Sequence, residues 1–207
     1  MSMLLSRRIF PIVLLVGATL SLVILKGSVL RVPGSPFDVP ISESLAISTA
    51  EAISKHPARL KIPSIGVDAK VESVGLTPQG SVGVPEGPSD AAWFDRSPSP
   101  GEVGNAIIVG HFGWKDGLPS VFDDLSRLQK GDVLYVEDGA GMIVTFVVRE
   151  SRRYDPKADA SVVFDSNDGK AHLNLITCEG VWDATKESYS LRLVVFADKV
   201  YEALGTI

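Results

Sequence analysis

Short apolar runs separated by glycine, proline and acidic turns set the rhythm of the chain from Arg59 onward. The stretch RLKIPSIGVDAKVESVGL is broken at Pro63, Gly66 and Gly75, which predicts β-branched strands joined by tight turns. Further runs at 105–110, 133–137, 142–154, 173–177 and 191–199 repeat the pattern, so the fold class is all-β, a barrel or sandwich with short helical insertions. Several of the runs are apolar on both faces, which favours closure around one core.

Three connecting segments stand out. DGLPSVFDDLSRLQKGD predicts a short helix: Pro119 suits a first turn, Val121, Phe122, Leu125 and Leu128 make an apolar face, and Gly131 stops it. Its Asp123 and Asp124 read as a solvated face. SRRYDPKADASVVFDSNDGKAH predicts a loop with one helical turn around 162–164, and GVWDATKESYS a loop between the last two strands.

The first residues have a different character. The run at 9–25, IFPIVLLVGATLSLVIL, is uncharged, follows Arg7 and Arg8, and is long enough to span a bilayer. No small-x-small cleavage site follows it, so an uncleaved transmembrane signal-anchor is expected, with 1–8 in the cytoplasm. Residues 26–57 carry Pro33, Pro36 and Pro40 and read as a linker whose second half has the composition of a short helix. The folded domain is expected at 58–200, with a tail at 201–207. His56, beside Pro57, has no ligand spacing around it and is assigned no role.

A chain of 207 residues, 45% hydrophobic, has room for one such domain with a sizeable core. Its net charge of −5 argues against a nucleic-acid-binding surface. No metal or other cofactor is expected.

The single cysteine, Cys178, stands where the apolar run of AHLNLITCEG meets a Glu-Gly turn. His111 ends NAIIVGH, and Arg192 interrupts SYSLRLVVFA. Taken singly, these are a buried thiol, a rim histidine and an ion-paired arginine. Taken together on three strands, they are a nucleophile, a proton carrier and an oxyanion donor, the set needed for acyl transfer through a thioester. An imidazole, with an ordinary pKa near about 6.5, suits the proton-carrying role. A thiol with an ordinary pKa of about 8.5 is only a few per cent ionised at neutral pH, so activation of Cys178 by the two cations is expected. His172 shares the alternating face of Cys178, but six residues of strand put it roughly 20 Å away, too far to be the base.

The same residues carry a resemblance. NLITCEG, the arginine of YSLRLVVFA, and the block AWFDRSPSPGEVGNAIIVGH resemble the sortases, cysteine transpeptidases of Gram-positive cell surfaces whose cysteine motif usually reads TLxTC. Leu175, Thr177 and Cys178 match that motif, and Asn174 stands where its first threonine usually is. The likeness runs from about Arg59 to Lys199, and the block ending at His111 is most similar to class F and the neighbouring classes D and E.

The resemblance implies a closed eight-stranded β-barrel on the extracytoplasmic side of the membrane, with His111, Cys178 and Arg192 as catalytic residues. It implies cleavage of an LPxTG-like sorting signal and transfer of the surface protein to an amine of the cell wall or a pilin lysine, with hydrolysis as a side reaction. Thr177 is expected to support the oxyanion or substrate through its backbone or hydroxyl, and Trp182, Tyr189, Val162 and Phe164 to contact substrate. Phe112 and Trp114 are expected to wall the site or cover the barrel end. A cysteine hydrolase with the same trio and a non-catalytic, membrane-tethered binding domain are the competing readings.

Overall fold

Period-two alternation becomes a wall with two faces. The computed structural model describes residues 55–185 and 188–201; the expected membrane segment, most of the linker and the tail lie outside them. Among the described residues, no helix is long and apolar enough to cross a membrane.

Among the described residues, eight strands form the wall: β1 (Pro57–Ile62), β2 (Val67–Val74), β3 (Ala91–Phe94), β4 (Gly104–Gly110), β5 (Val133–Asp138), β6 (Ile143–Tyr154), β7 (Ala171–Asp183) and β8 (Ser188–Lys199). A single helical turn, α1 (Ser161–Phe164), lies between β6 and β7, where the sequence predicts it. The strands close into a barrel in the order β1-β2-β3-β4-β7-β8-β6-β5, with β5 pairing back onto β1. The β2–β3 and β4–β7 pairs are parallel.

Alternate residues fill two cores. Ala106 and Ile108 of β4, Leu173 and Leu175 of β7, and Leu193, Val195 and Ala197 of β8 point into the barrel with Phe122, Phe146 and Leu60. Their neighbours Ile107, Val109, Ile176, Val194 and Phe196 pack on the outside, under Val163 of α1. Both faces of β4, β7 and β8 are thus buried, which is why these strands read as continuous apolar runs. Each fully buried leucine or isoleucine contributes about 1.5–3 kcal/mol.

Two asparagines hold α1 in place. Asn105 Nδ2 donates to the carbonyls of Val162 and Val163 at 3.2 and 3.1 Å, and Asn174 Nδ2 donates to Val163 O at 2.7 Å. A turn this short leaves its last carbonyls without intrahelical partners, and the two amides supply them. Asn174, the residue that departs from the usual motif, therefore fastens α1 to β7. Near the start of the same strand, the buried His172 sets Nδ1 2.7 Å from Asp198 Oδ1 and Nε2 3.0 Å from Asp168 Oδ1. That ring is a structural clamp between β8 and the loop before β7.

Three expectations are corrected. The segment 116–132 is not an α-helix; it holds 3-10 turns at Lys115–Gly117 and Leu125–Arg127. Phe122, Leu125 and Leu128 are buried as expected, but they recur every third residue, which suits 3-10 geometry. The N–H groups of Val121 and Phe122 also donate outward, to Pro88 O at 2.8 Å and His111 O at 3.1 Å, instead of along a helix. Nor is Asp123 simply solvated, because its carboxylate accepts from Gly113 N at 2.7 Å and Ser120 N at 2.8 Å, while Asp124 pairs with Arg127.

The segment 180–190 is likewise not a plain loop. β7 extends into it as far as Asp183 and β8 begins within it at Ser188, pairing Trp182 with Tyr189 and Asp183 with Ser188 beyond a register shift after Glu179. Gly180 takes φ +90° at the shift, a conformation open to glycine and strained for other residues.

Candidate active site

The outward parity of β4, β7 and β8 brings the three candidate residues together. Cys178 follows Asn174 and Ile176 on the outer face of β7, and its direct cross-strand partner on β8 is Arg192. Side chains so opposed have Cβ atoms about 5 Å apart. On the other side of β7, the parallel register pairs Val109 with Ile176, and His111, the first residue past the end of β4, lines the same cavity as Cys178 and Arg192. Cys178 and Arg192 therefore sit on adjacent strands of the barrel's outer wall, with His111 just beyond the end of the strand on the other side of β7.

Two cavities meet at this point. One, of about 430 Å³, is lined by His111, Cys178 and Arg192 together with Trp114, Trp182 and Tyr189. The other, of about 390 Å³, also reaches Cys178 and Arg192 and runs away from them over Ile176 and Val194, between the Ser81–Val84 edge of the β2–β3 loop and α1.

Burial pushes the Cys178 thiol above its ordinary value, and the Arg192 charge pulls it back only in part. The expectation of a thiol activated by nearby cations is therefore corrected: desolvation disfavours the thiolate more than one guanidinium favours it. The free enzyme at neutral pH holds less thiolate than an exposed cysteine would. Alkylation of Cys178 by iodoacetamide is expected to keep accelerating into the alkaline range, past the pH at which a free thiol of pKa about 8.5 levels off. A plateau at or below neutral pH, read from the rate of mass gain, would contradict it.

Arg192 is oriented by the hairpin that carries it. Nη1 donates to the carbonyls of Tyr189 and Leu191 at 3.1 and 3.0 Å, and Nη2 to Ser188 Oγ at 3.1 Å. Of the five guanidinium N–H groups, the Nε–H and one Nη2–H remain for a ligand. Among the described residues, no carboxylate forms an ion pair with it. Glu179, next to the thiol in sequence, is instead held by Arg153 of β6 through two bonds of 2.6 and 2.8 Å.

His111 stands with Nε2 2.8 Å from the carbonyl oxygen of Pro85 and with its ring edge-on to Trp114, centroids 4.6 Å apart. Thr177 is buried, and its hydroxyl donates to Gly110 O at 2.8 Å, which locks the end of β4 against β7 one residue before each reactive side chain. The hydroxyl is thus committed to the barrel, and only the backbone of Thr177 is left for substrate support.

The predicted substrate contacts separate. Trp182 and Tyr189 stack edge-to-face at 5.1 Å and line the larger cavity, where Phe112 also meets Tyr189 at 5.4 Å. Phe112 and Trp114 are thus walls of the site. Phe164 lines the smaller cavity, as does Val163, 1% exposed. Val162 is 55% exposed and lines neither of the two. Sequence reasoning missed the Pro85 carbonyl, Ser188, and the groove residues Val82, Tyr154 and Val194. Val82 and Pro85 belong to one loop, whose glycines and proline in SVGVPEGP were the only signal. Among the described residues, no group of three or more His, Cys, Asp or Glu side chains is placed to share a metal ion.

Fold and site together define a closed β-barrel with a cysteine-centred cleft on its outer wall. The sortase domain family model matches residues 60–200, well over half the chain, and the chain belongs to the sortase family. Solved structures agree in fold. Sortase C-1 from Actinomyces oris is 23% identical, with a TM-score of 0.55 over 83% of this chain and 86% of that one. The sortase D5 transpeptidase of Clostridium perfringens is 22% identical, with a TM-score of 0.55 over 78% and 91%. Sortase A from Corynebacterium diphtheriae is 21% identical, with a TM-score of 0.54 over 73% of this chain, and the match spans 63% of that protein's length. No curated protein sequence matches the chain.

Proposed function

We propose that the chain is a membrane-anchored cysteine transpeptidase. It cleaves an LPxTG-like sorting signal between Thr and Gly and passes the surface protein to an amine of the cell wall or a pilin lysine. The anchor is the apolar run at 9–25, and the barrel works on the extracytoplasmic side. The observation that carries this reading is the opposition of Cys178 to Arg192 across β7 and β8, with His111 beside them over the same cleft.

The chemistry follows from the arrangement. The smaller cavity is a mostly apolar trough that ends at the thiol, which suits the Leu-Pro part of a signal, and it delivers the threonine carbonyl to Cys178. The thiolate form of Cys178, paired with His111 as imidazolium, attacks that carbon and an S–C bond forms, while the carbonyl π pair moves onto oxygen and the developing oxyanion takes hydrogen bonds from the two open Arg192 donors. The C–N bond to glycine then breaks, and the His111 imidazolium gives its proton to the departing amine. An incoming amine enters by the larger cavity, passes a proton back to the imidazole, attacks the thioester and releases the thiolate. The test is to incubate the full chain in detergent with LPxTG-like and LAxTG-like peptides, with and without an amine, and weigh the products. A peptide–amine adduct formed at the Thr–Gly bond is the expected result. Free acid alone in the presence of amine would make the protein a hydrolase, and no cleavage would leave it a binding domain.

A further inference from the structure

We propose that the backbone carbonyl of Pro85 is a positioning group of this site: it fixes the His111 tautomer with the proton on Nε2, leaving Nδ1 as the nitrogen that exchanges protons in the cleft. The proposal rests on the proton-carrying role of His111 given above.

The contact itself decides the assignment. A peptide carbonyl only accepts hydrogen bonds, so at 2.8 Å from Pro85 O the Nε2 atom must be the donor and must carry hydrogen. Among the described residues, no protein group bonds Nδ1, and the ring lines the cleft with Cys178 and Arg192. In the neutral ring Nδ1 is therefore the bare nitrogen, able to take a proton from an incoming ammonium. In the charged ring Nδ1–H is the proton available to the leaving glycine amine, while Nε2–H stays on the carbonyl throughout. The second ring nitrogen's partner sets the tautomer, here a peptide carbonyl in place of a carboxylate.

The carbonyl is held firmly enough for this task. Pro85 is buried, and its loop is tied on several sides: Gly83 N donates to Gly75 O at 2.9 Å, Glu86 N to Glu72 Oε2 at 3.2 Å, and Val121 N to Pro88 O at 2.8 Å. Ser81–Val84 of the same loop also wall the peptide trough. One segment thus shapes the groove and aims the imidazole.

The experiment is a long-range ¹H–¹⁵N correlation on ¹⁵N-histidine-labelled full chain in detergent, at a pH high enough to remove the second ring proton, with signals assigned through the His111 backbone. The expected pattern is a proton-bearing Nε2 and a bare Nδ1. A proton on Nδ1, or an averaged mixture of the two tautomers, would overturn the proposal. The spectrum does not depend on turnover. A bare Nδ1 in a protein that cleaves no peptide would leave the tautomer assignment standing while removing the proposed function and the positioning role that rests on it, whereas cleavage with a protonated Nδ1 would overturn the tautomer assignment and leave the proposed function.

Discussion

Cys178→Ala is expected to lower peptide cleavage by at least about 10⁴-fold, to the background rate, because it removes the atom that forms the covalent intermediate. The chain has no second cysteine to take over. The loss is chemical and not structural: Cys178 is only partly buried, and the pairing of its strand with β8 is made by backbone groups on either side of it. The variant should therefore melt near the wild-type temperature by circular dichroism while producing no cleaved peptide. Near-normal turnover in folded Cys178→Ala would remove the thiol from the mechanism.

The second large effect is at Arg192. Removing an oxyanion donor typically costs about 10²–10³-fold in kcat, and Arg192→Ala is expected to fall in or beyond that range. Arg192→Lys should also be impaired. A guanidinium can bond Tyr189 O, Leu191 O and Ser188 Oγ and still present two aligned donors to substrate. An ammonium has three donors in all and no fixed plane. The two variants also separate charge from direction. The Arg192 charge lowers the thiol, so Arg192→Ala moves Cys178 further up and slows its alkylation, whereas Arg192→Lys keeps most of that effect. Full peptide turnover in Arg192→Lys would reduce the arginine to a simple positive charge.

Much of the site was legible because it is written in strand parity. Cys178, His111 and Arg192 each end or interrupt an apolar run, and the alternation that buries Ile176, Val109 and Val194 under α1 carries the three polar side chains to the same outer wall. The barrel strands were legible for the same reason, β1 and β2 included; β3 (Ala91–Phe94), four residues long, was not among the runs. The segment 116–132 was misread because its apolar positions fit one face of a helix as well as a chain of 3-10 turns. What settles the matter is the donation of Val121 and Phe122 N–H groups to Pro88 and His111, contacts distant in sequence.

The hairpin at 180–190 hid its pairing behind glycine, aspartate and serine, residues that usually mark loops, although Trp182 and Tyr189 face each other across it. The thiol was misjudged because counting neighbouring cations ignores the desolvation that accompanies them. Val162 and Val163 show the limit of composition: one is exposed and the other buried, and only the seating of α1 on Asn105 and Asn174 tells them apart. A backbone carbonyl such as that of Pro85 has no side-chain signature at all.

The central claim, that sulfur, imidazole and guanidinium act as one acyl-transfer site, is tested most directly by the mass of the protein in an acid-quenched reaction with excess LPxTG-like peptide and no amine. A fraction of wild-type chain is expected to be heavier by the peptide up to and including threonine, with the added mass mapped to Cys178 and discharged by a thioester-cleaving amine. Cleaved peptide accompanied by no adduct at any reaction time, or an adduct on a residue other than Cys178, would contradict it.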